Sequence, residues 1–172
     1  MKGTRVITAL AVLAASALPS AASASRGQNE LAEVRASTAR FHDIDTAKQA
    51  GHRLGYIAPF LLDHCIAHPT DGAMGYHYFN HDSIHDTELD PRRPEGLVYE
   101  PRPNGTLRLV AVEWIVPKAA WEAAGNTEPP NILGQDLHVL NQELGWYILH
   151  AWVWKPNPSG MFNDWNPNVD CS

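Results

Sequence analysis

The stretch TLRLVAVEWIVP, residues 106–117, is a long run of β-branched and apolar residues that ends at a proline. This composition is typical of a β-strand. The dipeptide Asn104-Gly105 stands directly before it and favours a tight turn, because both residue types adopt positive φ readily. The shorter apolar run EGLVYEP, residues 95–101, lies on the other side of that turn. Together these segments predict an antiparallel β-hairpin.

Two more segments have the composition of strands: GAMGYHYFN, residues 72–80, and GWYILHAWVWKP, residues 145–156. Upstream of them, apolar residues recur at helical spacing in residues 29–41, and a second helix is predicted between a cap at Asp45 and a stop at Gly55. Helices followed by hairpin-connected strands are typical of the α+β class. The sequence therefore predicts N-terminal helices packed on a curved antiparallel sheet of four or five strands.

The first 24 residues have the three parts of a secretory signal peptide. Lys2 and Arg5 are followed by an apolar run at 6–18 and by the small-residue site Ala22-Ser23-Ala24. The apolar run is shorter than the roughly 20 residues that a membrane span needs. We predict that residues 1–24 are cleaved and that 25–172 form a single α+β domain in a secreted or periplasmic location.

The charge of the chain bears on its partners. Without Lys2 and Arg5, eleven basic residues remain against nineteen acidic ones. No block of Lys or Arg occurs, so nucleic acid and anionic membrane surfaces are poor candidate partners. No later stretch is long and apolar enough for a membrane span. The sequence leaves the oligomeric state open.

The two cysteines, Cys65 and Cys171, both follow the predicted cleavage site. An even pair in an exported protein predicts one disulfide. A closed loop of roughly 100 residues stabilises the folded state by about 4–5 kcal/mol on the chain-entropy argument.

Histidines spaced four apart, His77, His81 and His85, invite the interpretation of a metal-binding helix face. The glycines and aromatic residues around His77 favour a strand instead, and this strand ends near Asn80, so the three histidines do not lie on one helix. His81 and His85 then fall in a polar loop beside aspartates and are predicted to be exposed. A helix is also disfavoured for the pair His64 and His68, because Pro69 follows at once.

Strand alternation predicts a different grouping. Three ionisable residues, His77, Glu113 and His150, each lie mid-strand among apolar residues, and alternate residues of a strand share a face. The neighbours expected on their faces are, in the same order, Gly75 and Phe79; Leu107, Leu109, Ala111 and Ile115; and Trp146, Ile148, Trp152 and Trp154. A buried charge is costly unless it is paired. If the three strands adjoin, two imidazoles and one carboxylate converge.

Such a trio has several interpretations. It can be a two-His-one-carboxylate site for a divalent metal, zinc or iron. It can be a metal-free acid–base set, or a hydrogen-bonded network with a structural role only. Tyr76, Trp114 and Trp152 are the candidate aromatic walls of a pocket around it.

These interpretations lead to three functional hypotheses. The first is a secreted protein that binds a small ligand in an aromatic-lined pocket around the trio. The second is a metal-dependent or acid–base enzyme that uses the same residues. The third is a structural or envelope-interaction protein without a pocket. Whether the chain is an enzyme, and which cofactor it takes, are left open by the sequence.

The strings GAMGYHYFN, PEGLVYEP, LRLVAVEWIVP and LHAWVWKPNPSGMFNDWNPNVDC resemble a group of small exported bacterial proteins of unassigned function. The resemblance runs from about Phe41 to Cys171. It implies a secreted single domain with paired cysteines. It also favours the trio over the loop histidines, because the trio lies inside the resembling strings.

Overall fold

The structure is a computed structural model and describes residues 21–57 and 60–172. The helices are α1 (Ala21–Thr38), α2 (Ile44–Gln49) and α3 (Lys118–Ala123), with a 3₁₀ turn at Ala39–His42. The strands are β1 (His52–Leu54), β2 (Tyr56–Ile57), β3 (Phe60–Leu61), β4 (Ile66–His68), β5 (Gly72–Asn80), β6 (Gly96–Pro101), β7 (Leu107–Pro117), β8 (Asn131–Ile132), β9 (Gln135–Asp136) and β10 (Trp146–Ala151).

Residues 1–20 of the predicted signal peptide lie outside the described residues, so that segment stays a prediction. Among the described helices, none combines the length and the apolar character needed to cross a bilayer.

The main sheet has six antiparallel strands in the order β1-β5-β6-β7-β10, with β4 also paired to β5. The predicted α+β class is confirmed, whereas the predicted count of four or five strands is too low. The two strands in question, β1 and β4, have only three residues each. They lie along opposite ends of β5. A three-residue strand is too short to show the alternation that predicts longer ones.

The predicted hairpin is confirmed as β6 and β7. Its turn is held by Asn104, whose side-chain oxygen accepts hydrogen bonds from the backbone N–H and the hydroxyl of Thr106 at 3.1 and 2.7 Å. Gly105 has a φ of 79°, as this turn chemistry requires. The sequence therefore places the centre of the sheet correctly.

The predicted second helix is shorter than expected. Asp43, not Asp45, caps α2, because its carboxylate accepts hydrogen bonds from the Asp45 N–H and the Thr46 hydroxyl at 3.0 and 2.9 Å. Gly51, with a φ of 97°, turns the chain after the helix, and residues 52–54 join the sheet as β1. The first helix, by contrast, begins earlier than predicted, at Ala21.

One face of the sheet packs against α1, the 3₁₀ turn and α2. The buried side chains of this helix-side cluster include Val34, Phe41, Leu97, Tyr99 and Trp114. The Tyr99 hydroxyl crosses the layer and donates a hydrogen bond to the Phe41 carbonyl at 2.8 Å. Each side chain of this size contributes about 1.5–3 kcal/mol through removal from water.

A β-bulge interrupts the pairing of β6 with β7. Ala111 pairs with Val98, but Leu109 pairs with Tyr99, so Val110 has no partner across the ladder. One inserted residue reverses the alternation of side chains on one side of it.

The bulge overturns part of the predicted face. Leu107 and Leu109 pack with the helix-side cluster rather than beside Glu113. Trp154, predicted to lie beside His150, also packs with that cluster, because β10 ends three residues before it. The remaining alternation, from Ala111 onward, is as predicted.

The opposite face of the sheet, the tail face, is covered in part by residues 156–172. Trp152 donates its indole N–H to the Asn163 carbonyl at 2.6 Å, and Asn166 forms a bridge with Ala73 of β5. The predicted disulfide is confirmed between Cys65 and Cys171, with 5.6 Å between the Cα atoms. The two cysteines are 106 residues apart in sequence, and the bond holds the C-terminal end of the chain beside β4.

Candidate functional site

The strand register brings His77, Glu113 and His150 together on the tail face. His150 stands directly opposite Glu113 across the β10–β7 ladder. Gly96 of β6 is the partner of Glu113 on its other side, and Val98 of β6 is the partner of His77. The three side chains therefore project from β5, β7 and β10 toward one point, and β6 separates His77 from the other two.

The trio is compact and buried. One potential ligand atom of each residue lies within 4.8 Å of those of the other two. His77 Nε2 lies 3.4 Å from Glu113 Oε1. The exposed fraction is 3 % for His77, 4 % for Glu113 and 0 % for His150.

Four polar atoms of the trio lack hydrogen-bond partners within the described part of the chain. They are His77 Nδ1, Glu113 Oε2 and both ring nitrogens of His150. A buried polar atom left without a partner costs about 1–3 kcal/mol, and such atoms are uncommon in native proteins. One cation could bind one atom from each residue, and the second ring nitrogen of His150 would then need another partner.

Burial and charge set the protonation of the trio. Burial acts to raise the pKa of Glu113, but the charge interaction and the hydrogen bond with His77 act against it, with His150 a smaller contribution, and the net direction is downward. Complete burial lowers the pKa of His150 to about 4, although the charge of Glu113 opposes this shift. At neutral pH the site therefore holds an ionised carboxylate and a neutral His150 imidazole.

Gly96 makes the close approach of Glu113 possible. A Cβ atom on Gly96 would lie 2.7 Å from Glu113 Oε2 and 2.9 Å from Glu113 Cβ. The carboxylate therefore lies over the bare backbone of β6, on the way from β7 to His77 on β5. Sequence reasoning missed this role, and its only signal was a glycine at the start of an apolar strand.

The structure separates the three candidate pocket aromatics. Trp152 lies beside His150, with 4.7 Å between the ring centroids. Tyr76 and Trp114 instead pack with the helix-side cluster. Each is next in sequence to a member of the trio, and adjacent residues of a strand point to opposite faces.

The remaining spaced histidines form no cluster of metal-ligating groups in the described residues, where the trio is the one such group. His85 is exposed as predicted, whereas His81 is partly buried, contrary to the prediction. His64 lies 3.7 Å from the Asp63 carboxylate, and His68 lies 3.2 Å from that of Asp71.

A small apolar cavity of about 50 Å³ adjoins the trio. His77 and Glu113 provide its polar edge, and hydrocarbon side chains such as Phe79, Ile115 and Ile148 form its walls. Pockets for drug-sized ligands have volumes of about 300–1,000 Å³. The cavity thus has room for a very small molecule only.

No family model matches this sequence, and neither a curated protein nor a solved structure matches it. The resemblance to small exported proteins therefore stays a prediction.

Proposed function

We propose that this protein binds one divalent transition metal, zinc or ferrous iron, through His77, Glu113 and His150. The observation that carries the proposal is the convergence of two imidazoles and one carboxylate in a buried site, where each residue has at least one polar atom without a hydrogen-bond partner. A single cation accepts lone pairs from two imidazoles and one carboxylate together. In a structural network, buried water molecules or the trio itself would have to satisfy these atoms.

The donor set favours this class of metal. Two imidazole nitrogens suit zinc and iron, whereas calcium and magnesium prefer oxygen ligands only. Ligand atoms at a tetrahedral zinc lie about 3.3 Å apart, given zinc–nitrogen distances of about 2.0–2.1 Å. One potential ligand atom of each residue lies within 4.8 Å of the others, so side-chain rotation would have to bring these atoms closer together to reach that geometry.

Three protein ligands leave a coordination position open, as in catalytic rather than structural zinc sites. The small cavity beside His77 and Glu113 limits what can occupy that position. Binding of a larger ligand in an aromatic-lined pocket, the first hypothesis from the sequence, is less well supported, because Tyr76 and Trp114 lie on the other face. An extracytoplasmic location, with which the Cys65–Cys171 disulfide is consistent, is part of the proposal.

Titration of the metal-free protein with Co²⁺, followed by competition with Zn²⁺, tests the proposal. We expect one metal per chain, with visible absorption bands typical of a four-coordinate or five-coordinate cobalt. His150→Ala should weaken binding by at least about 100-fold, because a ligand is lost. The matched control is His64→Ala, since His64 is a largely exposed histidine outside the trio.

Two outcomes would contradict the metal proposal. One is the absence of cobalt binding at millimolar concentration in the folded protein. The other is cobalt binding that is equally tight in His150→Ala and in the unchanged protein, as judged on samples with matching circular dichroism spectra.

Gly96→Ala should weaken metal binding without removing any ligand. The added methyl group would overlap Glu113 Oε2 and push the carboxylate away from its present position. We expect a loss of about 10–100-fold in metal affinity, as for residues that orient ligands, and a stability loss of about 1–3 kcal/mol from overpacking.

The control for this variant is Gly27→Ala, where an added Cβ meets no atom within 4 Å. Both variants are measured by the same cobalt titration and by denaturant unfolding. Unchanged metal affinity in Gly96→Ala would mean that the position of the Glu113 carboxylate over β6 does not matter for binding.

A further inference from the structure

The cavity beside the trio has one polar edge and otherwise apolar walls. Phe79 of β5, Ile115 of β7, and Trp146 and Ile148 of β10 belong to one buried cluster on the tail face. These side chains line the cavity, together with Met74 of β5. The polar edge consists of His77 and Glu113, the same two residues that the proposed metal would bridge.

The walls select for an uncharged and apolar occupant. A water molecule in a protein interior typically makes about three hydrogen bonds, and only the polar edge of His77 and Glu113 offers any here. An ion would lose its hydration without compensation there. Apolar cavities of this kind stay dry and bind apolar guests such as xenon. A volume of about 50 Å³ restricts the guest to a molecule of two or three heavy atoms.

The cavity lies close to solvent at one side. Leu140 and Leu144, in the segment between β9 and β10, contribute to its lining. Leu140 is 40 % exposed, and Leu62 and Ile66, which also line the cavity, are only partly buried. This side of the cavity is therefore closed by side chains at the protein surface and not by the central strands of the sheet.

We propose that this cavity binds one small uncharged molecule of the size of a diatomic gas, next to the open coordination position of the metal. The part of this inference that concerns the metal rests on the proposed function. The cavity itself does not depend on the metal, because its apolar walls come from β5, β7, β10 and the loop leucines and not from the three ligands alone.

Xenon binding to the metal-free protein, followed by ¹²⁹Xe NMR and by crystals held under xenon pressure, tests the cavity alone. We expect one xenon atom among Phe79, Ile115 and Ile148, and loss of this site in Leu144→Phe, whose larger ring fills the space. Leu61→Phe is the matched control, because Leu61 is an exposed leucine that does not line the cavity. Absence of xenon from the unchanged protein, or persistence of the site in Leu144→Phe, would overturn the proposal.

Nitric oxide added to protein loaded with Fe²⁺ tests whether a small molecule in the cavity reaches the metal. We expect the electron paramagnetic resonance signal of an iron–nitrosyl adduct in the unchanged protein and in Leu61→Phe, and its loss in Leu144→Phe. Xenon binding without any metal binding would refute the proposed function and leave the cavity assignment standing. Metal binding without a nitrosyl adduct would show that a small molecule does not reach the metal from this cavity.

Discussion

Replacing Glu95 with glutamine should raise the free energy of unfolding by about 5 kcal/mol above pH 8, relative to the unchanged protein. Glu95 is 2 % exposed, and its Oε2 accepts a hydrogen bond from the Ile115 N–H at 3.0 Å. Burial raises the pKa of Glu95 to about 8; the Ile115 N–H and the charge of Arg93 act in the opposite direction, and the charge of Asp86 adds to the rise. The carboxyl group is thus held in its neutral form in the folded state at neutral pH.

The direction of the pH dependence follows from the two states of the chain. In the unfolded chain Glu95 releases its proton near pH 4.5, and in the folded protein near pH 8. Between these values the folded protein binds more protons, so its stability falls as pH rises and the loss is complete above pH 8. A difference of about 3.5 in pKa corresponds to about 5 kcal/mol. Glutamine keeps an oxygen acceptor for the Ile115 N–H and cannot ionise.

Denaturant unfolding of both proteins at pH 4, 6 and 9 measures the effect. The stability difference should be small at pH 4 and grow steadily toward pH 9. Glu128→Gln, a change of an exposed carboxylate, should show no such trend. A Glu95→Gln protein whose stability parallels that of the unchanged protein at all three pH values would show that Glu95 is ionised in the fold.

The central strands were predictable because each carries its own signal. Asn104 and Gly105 are residues that favour the hairpin turn by themselves. The segments on either side are apolar along most of their length, as in strands that are buried on both faces. Such features depend on neighbours in sequence only. For this reason β5, β6, β7 and β10 lie close to where the residue pattern places them.

Other features depend on tertiary packing and left no local signal. The bulge at Val110 arises from the pairing of two strands, and nothing in the run LVAVEW marks it. The strands β1 and β4 form only because β5 offers them an edge. The need for a glycine at position 96 follows from Glu113 on the neighbouring strand, and therefore appears only when the register is known.

The trio was predictable in part from local sequence and in part only from tertiary packing. Alternation alone marked His77, Glu113 and His150 as polar residues on apolar faces, and the structure brings them together. Their convergence also required the strand order, which the sequence did not supply. The prediction of Tyr76 and Trp114 as pocket walls was wrong. Each is adjacent in sequence to a trio residue and therefore points to the opposite face of the sheet, where the helices pack.

Glu113→Gln should abolish the stabilisation of the protein by zinc. A ligand present at 1,000 times its dissociation constant stabilises the folded state by about 4 kcal/mol. The unchanged protein should gain this amount, as measured by denaturant unfolding with and without Zn²⁺. In the variant the neutral amide is a poor metal ligand, and we expect a gain below about 1 kcal/mol at the same zinc concentration.

The same variant separates a metal site from a structural network. Without metal, Glu113→Gln should lose about 1–3 kcal/mol, because His77 loses the carboxylate that lies 3.4 Å away. If the trio were a structural network only, this loss would be the whole effect, and zinc would leave the stability of both proteins unchanged. Glu143→Gln, an exposed substitution of the same kind, should retain the full zinc-dependent gain. Zinc stabilisation that survives in Glu113→Gln would place the metal elsewhere on the chain.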